Sequence, residues 1–329
     1  MARVMHKSSI HQLIHRLIHQ SSRQISFGLT CFISGLLLLP FPILSQSLRP
    51  QRPSQGERSP TPQLPIQVPS NETPDQMLER GNNYVRLGNI DGAIAVFKEL
   101  IRRRPDLAVA HYNLGLAYAQ GNRLEEAVRS FQRTVRLEPK FALGYSNLGA
   151  ALLQAGNRPE AVRNLRRAVN LDPNLALAYY NLGLALKEQQ DITGAIINFD
   201  RALKLNPKSP ETAYNLGLVL QAQGELNRAM ALYQQALEIN PNYPEARYNY
   251  GAGLYLQGKL VEAAAEVSKA ISLQPKYADA YYTLAVIQET QGKKQEAVQS
   301  YIQAQAFFNQ QNNREWADIA AQQIQRLRN

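Results

Sequence analysis

Cysteine is nearly missing: the 329 residues hold one, Cys31. It lies in an apolar stretch near the start, so no disulfide framework, thiolate zinc site or cysteine nucleophile is open to the rest of the chain. Histidine is scarce too, with five. His11, His15 and His19 fall at i, i+4 and i+8, which places them on one helix face. A metal held there would need a further closing ligand and a rigid scaffold. The spacing therefore reads as a polar leader, and no metal is expected. The sequence has no glycine-rich phosphate loop and no Ser/His/Asp or Cys/His set, and its carboxylates are scattered. No catalytic residue, no cofactor and no enzyme activity are expected.

Charge of one sign is missing where nucleic acid would demand it. The net charge is +10, but residues 1–73 hold seven Lys/Arg against two Asp/Glu, and the remaining 256 hold 29 against 24. That long remainder lacks a dense basic stripe, so no nucleic-acid partner is expected. The runs Arg102-Arg103-Arg104 and Arg163, Arg166, Arg167 read as solvated helix faces.

Acidic residues are absent from Met1–Gln24, and no charge of either sign stands between Arg23 and Arg49. Phe27–Leu39 is the most apolar part, 13 residues, shorter than the ~20 of a full bilayer span. Residues 1–47 thus read as a cleaved secretory signal or, given the charge-free length, a single-span membrane anchor. In both readings the remainder is exported and extracytoplasmic (periplasm, lumen or secreted). An organellar transit peptide is a third reading. Residues 48–73 carry Pro50, Pro53, Pro60, Pro62, Pro65 and Pro69 among Gln, Ser and Arg, the composition of an extended linker.

What is abundant is repetition. Pro105, Pro139, Pro173, Pro207, Pro241 and Pro275 recur every 34 residues, and so do Gly81, Gly115, Gly149, Gly183, Gly217 and Gly251. A fixed period of this size marks a stacked array. Within one unit, Tyr179, Leu182, Gly183 and Leu186 form one helical stripe, and Ala195, Ile196, Phe199 and Ala202 a second. Asp191-Ile192-Thr193 reads as the polar break between them, where most units carry glycine (Gly88, Gly156, Gly224, Gly258, Gly292). Proline ends the second helix. Each unit is a helical hairpin. Mid-helix glycine costs ~1 kcal/mol each. Close backbone approach offsets that cost, with Gly183 expected to face small residues such as Ala195 and Ala202.

Tyr179, Leu182, Gly183, Leu186, Ala195, Phe199, Ala202 and Pro207 stand at positions 4, 7, 8, 11, 20, 24, 27 and 32 of the unit. The pattern resembles the tetratricopeptide repeat. Seven units fit it: 74–107, 108–141, 142–175, 176–209, 210–243, 244–277 and 278–311. The resemblance implies an all-α fold, an α-solenoid superhelix of stacked antiparallel hairpins. Arg80 replaces the usual Leu in the first unit, Gly121 sits one residue early, and the seventh unit has Ala285 for Gly and Asn309 for Pro. Residues 312–329, with Trp316, Ile319, Ala320 and Leu327 on one face, read as a capping helix.

The resemblance also implies a concave groove lined by the first helices, at positions 2, 5, 6, 9, 12 and 13. Position 6 holds Asn113, Asn147, Asn181, Asn215 and Asn249; position 5 holds Tyr112, Tyr180, Tyr214, Tyr248 and Tyr282. An amide can pair with both a peptide N–H and a C=O, so this row suits an extended polypeptide. It resembles the asparagine ladder of the glycosyltransferase that modifies nuclear proteins with N-acetylglucosamine, without any transferase domain following. Tyr-Asn-Leu-Gly is also plain repeat consensus, and that reading stays open. The family's lysine clamp on a C-terminal carboxylate lacks its position-5 cation, which falls at Leu78. The function expected is an exported or tethered scaffold binding protein or peptide partners in its groove, with the membrane contacted through an uncleaved N-terminus. An RNA-binding helical repeat, a substrate-recruiting accessory subunit and self-association through hairpin ends are the alternatives.

Overall fold

The computed structural model describes residues 71–329; the expectations for residues 1–47 and for most of 48–73 lie outside them. The described residues are all-α, without strands, and divide into two compact units on either side of the Ala185–Leu186 junction.

In residues 71–185 the helices are α1 (Pro74–Arg86), α2 (Ile90–Arg103), α3 (Ala108–Gln120), α4 (Leu124–Leu137), α5 (Ala142–Gln154) and α6 (Arg158–Leu171). Helix α7 (Ala176–Glu188) crosses the division. In residues 186–329 follow α8 (Ile192–Leu205), α9 (Pro210–Ala222), α10 (Leu226–Ile239), α11 (Pro244–Leu256), α12 (Leu260–Leu273), α13 (Ala278–Thr290), α14 (Lys294–Gln310) and α15 (Arg314–Arg328). Odd-numbered helices from α1 to α13 are the first of each hairpin. In residues 71–185, α1 packs on α2, α3 on α4 and α5 on α6, with α2 on α3 and α4 on α5; in residues 186–329, α9 packs on α10, α11 on α12 and α13 on α14, with α8 on α9, α10 on α11 and α12 on α13.

Local chemistry sets the helix ends. The residue that turns each hairpin is left-handed: Gly88, Gly156, Gly224, Gly258 and Gly292 at φ +74 to +82°, and Asn122, Gln190 and Asn312 at 56, 65 and 56°. Glycine and asparagine take that conformation cheaply; glutamine does not. Asn122, not Gly121, makes the second hairpin's turn, because Gly121 has φ −80°. In the fourth hairpin the break is Gln190-Asp191, since Ile192 and Thr193 already belong to α8, capped by Asp191 Oδ1 accepting from Gly194 N–H. Each period-34 proline stands two residues beyond a 14-residue second helix. Where Asn309 replaces it, α14 runs to 17 residues.

The core is the seam inside each hairpin. Position-20 alanines Ala93, Ala127, Ala161, Ala195, Ala229, Ala263 and Ala297 are fully buried. The position-8 glycines face the position-24 side chain as well as the backbone of the position-20 alanine: a Cβ would lie 3.2 Å from the Ala161 carbonyl oxygen on Gly149 and 3.3 Å from that of Ala229 on Gly217. A Cβ on Gly149 would lie 2.5 Å from Leu165, on Gly217 2.6 Å from Tyr233, and on Gly251 2.8 Å from Val267. Gly81 and Gly115 likewise seat the rings of Phe97 and Phe131. Glycine is kept so that a large side chain can lie flat on the first helix.

The departures have physical accounts. Arg80 pairs with Glu72 at 2.8 Å, in the residues just before α1. At the other end α15 buries Trp316, Ala317, Ala320, Ile324 and Leu327 on α14 and α13, with Trp316 edge-on to Tyr282 at 5.4 Å.

Candidate functional site

The first helices were expected to turn positions 5 and 6 outward. Instead they bury most of them. Tyr214, Tyr248 and Tyr282 are at most 2% exposed, and Asn147, Asn181, Asn215 and Asn249 at most 7%. Tyr112, Tyr180 and Asn113 are half-buried. Tyr214, Tyr248 and Tyr282 are therefore core residues, while Tyr112 and Tyr180 keep a partly exposed edge. The reason is that a first helix packs on its own second helix, on the preceding second helix and, at α1·α3 and α11·α13, on a neighbouring first helix. Its buried surface is wider than one stripe.

Within a hairpin the position-5 ring meets the position-24 side chain and an aromatic at position 34. Tyr112 lies 5.9 Å from Phe131 and 5.2 Å from Phe141; Tyr214 lies 5.8 Å from Tyr233 and 4.9 Å from Tyr243; Tyr248 lies 5.0 Å from Tyr277. Position 34 was missed from sequence. Its signal was there: Phe141, Tyr243 and Tyr277 occur only in units that also carry Tyr at position 5.

The position-6 residue of the next hairpin then ties to that tyrosine. Asn147 Nδ2 donates to Tyr112 Oη at 2.8 Å, Asn249 Nδ2 to Tyr214 Oη at 3.2 Å, and Thr283 Oγ1 to Tyr248 Oη at 3.4 Å. Asn181 Nδ2 reaches Ser146 Oγ at 3.5 Å. Each bond spans 35 residues. The row is a hydrogen-bonded seam between successive hairpins. Burial pushes the Tyr112 hydroxyl up to about 12, even with Asn147 donating to it.

The seam spends the amide nitrogens and leaves oxygens over. Asn147 Oδ1 and Asn249 Oδ1 are buried without a hydrogen-bond partner. Asn215 Oδ1 differs: it accepts from Lys187 Nζ at 3.2 Å. Burial pushes the Lys187 ammonium down to about 8.

Carboxylates gather at position 2 in three successive hairpins: Glu211, Glu245 and Asp279. Burial pushes Asp279 up to about 7 and raises Glu245, whose Oε2 has no hydrogen-bond partner. Basic residues elsewhere are paired or exposed. Arg102 and Arg103 both bind Glu99, at 2.7 and 2.8 Å, which holds that carboxyl down to about 2. Arg163, Arg166 and Arg167 are exposed. Among the described residues no cluster of three His, Cys, Asp or Glu could hold a metal, and no helix is long and apolar enough to cross a membrane. His111 is half-buried, with Nε2 at 3.0 Å from the Pro105 carbonyl.

Comparison with known proteins gives the fold its relatives. Family models described as tetratricopeptide repeat match residues 78–140 and 278–307, and one described as TPR repeat matches 151–190 and 251–292. A model described as anaphase-promoting complex subunit 3 matches residues 188–270. No curated protein matches. Among solved structures, the Cut9-Hcn1 heterotetramer of the APC/C is similar with TM-score 0.60 at 18% identity, over 77% of this chain and 48% of that one. This chain thus spans about half that relative. PilF of Pseudomonas aeruginosa is similar with TM-score 0.58 at 20% identity, over 67% and 97%. A repeat protein of Parabacteroides merdae is similar with TM-score 0.57 at 19% identity, over 75% and 98%. These likenesses concern the fold.

Proposed function

Because this chain belongs to the tetratricopeptide repeat family, we propose that it is a scaffold that holds a polypeptide partner against its first helices. The observation that carries this reading is a leftover amide acceptor on a first helix in each of the two units. Asn147 Oδ1 and Asn249 Oδ1 are buried amide oxygens with no donor, and a buried unmade acceptor costs about 1–3 kcal/mol. A partner's N–H would satisfy either one only after the side chains covering it move aside, since both residues are buried. The seam holds each amide rigidly by its nitrogen, so binding needs little further ordering of the amide itself.

The amides alone do not suffice. One hydrogen bond per unit at ~1 kcal/mol net falls well short of the ~8 kcal/mol of a micromolar complex. Apolar contact beside the amides supplies the remainder. The basic, uncharged-core start of the chain supports export of this scaffold, free or tethered through residues 1–47. N-terminal sequencing of the mature protein separates the two.

Crosslinking and mass spectrometry of partners captured by the full chain tests the binding face. Crosslinks concentrated on α3, α5, α9 and α11 are the expected result. Crosslinks confined to the second helices contradict it.

A further inference from the structure

We propose that residues 186–329 carry a seat for one cationic side chain of the partner, a lysine or arginine, formed by Glu245, Asn249 and Asp279. The inference rests on the reading above that the first-helix face takes a polypeptide, and it names what that polypeptide must present.

The chain supplies its own precedent one hairpin earlier. Asn215 Nδ2 donates to the Glu211 carbonyl at 2.9 Å, and its Oδ1 accepts the Lys187 ammonium at 3.2 Å. Asn249 repeats the first half of this arrangement. Its Nδ2 donates to the Glu245 carbonyl at 2.9 Å, laying the amide back over the turn that carries Glu245. The second half is missing. The residue 34 after Lys187 is Gln221, whose Oε1 is occupied by the Tyr233 hydroxyl at 2.7 Å. So Asn249 Oδ1, in a side chain 1% exposed, and Glu245 Oε2 are acceptors one turn apart on α11, both without a donor.

Asp279 brings a second carboxylate from the matching position of α13. Helices α11 and α13, which carry Glu245 and Asp279 at matching positions, are in contact. The nearest arginine on α11, Arg247, is spent elsewhere: it binds Glu266 at 2.6 Å and the Pro241 carbonyl at 2.8 Å. Glu245 Oε2 and Asn249 Oδ1 have no donor, while Asp279 accepts from its own backbone N–H; carboxylates accept and never donate when ionised. A partner's ammonium or guanidinium satisfies that set; a neutral or acidic side chain does not. Glu245, half-buried, is the most exposed of the three.

Selection of short random-sequence peptides on the immobilised full chain, kept in detergent, tests this. Lysine- or arginine-bearing peptides should be enriched, and replacing that one residue by Gln should weaken binding about tenfold, the value of one charge-assisted hydrogen bond. Glu245→Gln or Asp279→Asn should remove most of that preference. Gln221→Lys places an ammonium of the chain opposite Asn249, as Lys187 stands opposite Asn215, and should abolish the preference while peptides still bind. Circular dichroism checks that each variant folds. Peptides selected without any preference for cationic residues, or a preference that survives both Glu245→Gln and Gln221→Lys, would overturn the seat and leave the polypeptide-binding reading standing. Failure to select any peptide would overturn both.

Discussion

Asn249 Nδ2 donates to Tyr214 Oη across 3.2 Å, joining hairpins 35 residues apart in the sequence. The same bond recurs from Asn147 to Tyr112 at 2.8 Å. An amide row that reads as a partner ladder is, through its nitrogens, part of the scaffold. Replacing Asn147 or Asn249 by Ala should therefore lower stability by about 0.5–1.5 kcal/mol, the net value of the bond to the tyrosine hydroxyl. Urea denaturation followed by circular dichroism checks it. An unchanged midpoint would return these residues to a purely binding role.

Gln190 turns the fourth hairpin at φ 65°, where five other hairpins have glycine. A side chain in that region costs ~1–2 kcal/mol. Gln190→Gly should raise stability by about 0.5–1 kcal/mol, after the added freedom of the unfolded chain is deducted. Gly156→Ala, at φ +81°, should lower it by a similar amount. Thermal melts of the pair give opposite signs if the turn is read correctly.

Gly217 sits where a Cβ would approach Tyr233 to 2.6 Å. Tyr233 is fully buried and its hydroxyl bonds Gln221, so the ring has little room to yield. Gly217→Ala gains ~1 kcal/mol of helix propensity, but overpacking costs ~1–3 kcal/mol. The net expected is a loss of about 1 kcal/mol in chemical denaturation. A gain would mean that the seam is looser than its geometry.

Asp279 holds its proton up to about pH 7 when folded, against an ordinary value of 3.8. Between those values the folded chain binds more protons than the unfolded one, so stability falls as pH rises from about 4 to about 7. The drop is on the order of 3 kcal/mol. Glu245 adds to it with the same sign. Asp279→Asn should flatten most of that slope, and adding Glu245→Gln the rest. Unfolding free energies measured across this window check the sign.

The period, the hairpins and the caps were legible because each depends on a handful of residues with strong local effects: proline, glycine and alanine at fixed steps. One departure has a structural consequence that reading the sequence missed: with Asn309 in place of proline, α14 runs to 17 residues. The face of the first helices was less legible. One stripe of Tyr179, Leu182, Gly183 and Leu186 suggests one buried side, yet position 3 is buried as well, at Ala110, Ala178, Ala246 and Ala280. Burial there comes from neighbouring hairpins, and nothing local to a unit encodes a neighbour. Tyr at position 5 with an aromatic at position 34 was the readable hint. The carboxylate row was harder to see, because Glu211, Glu245 and Asp279 take meaning only beside Lys187 and the residue that fails to repeat it.

The claim on which the rest depends is that the amide nitrogens bind the chain to itself. A double-mutant cycle between Asn147→Ala and Tyr112→Phe, with unfolding free energies from urea titration, measures that bond directly. The account predicts that the two substitutions are coupled by about 1 kcal/mol. Strict additivity, with stability unaffected by Asn147→Ala while partner capture is lost, would contradict it.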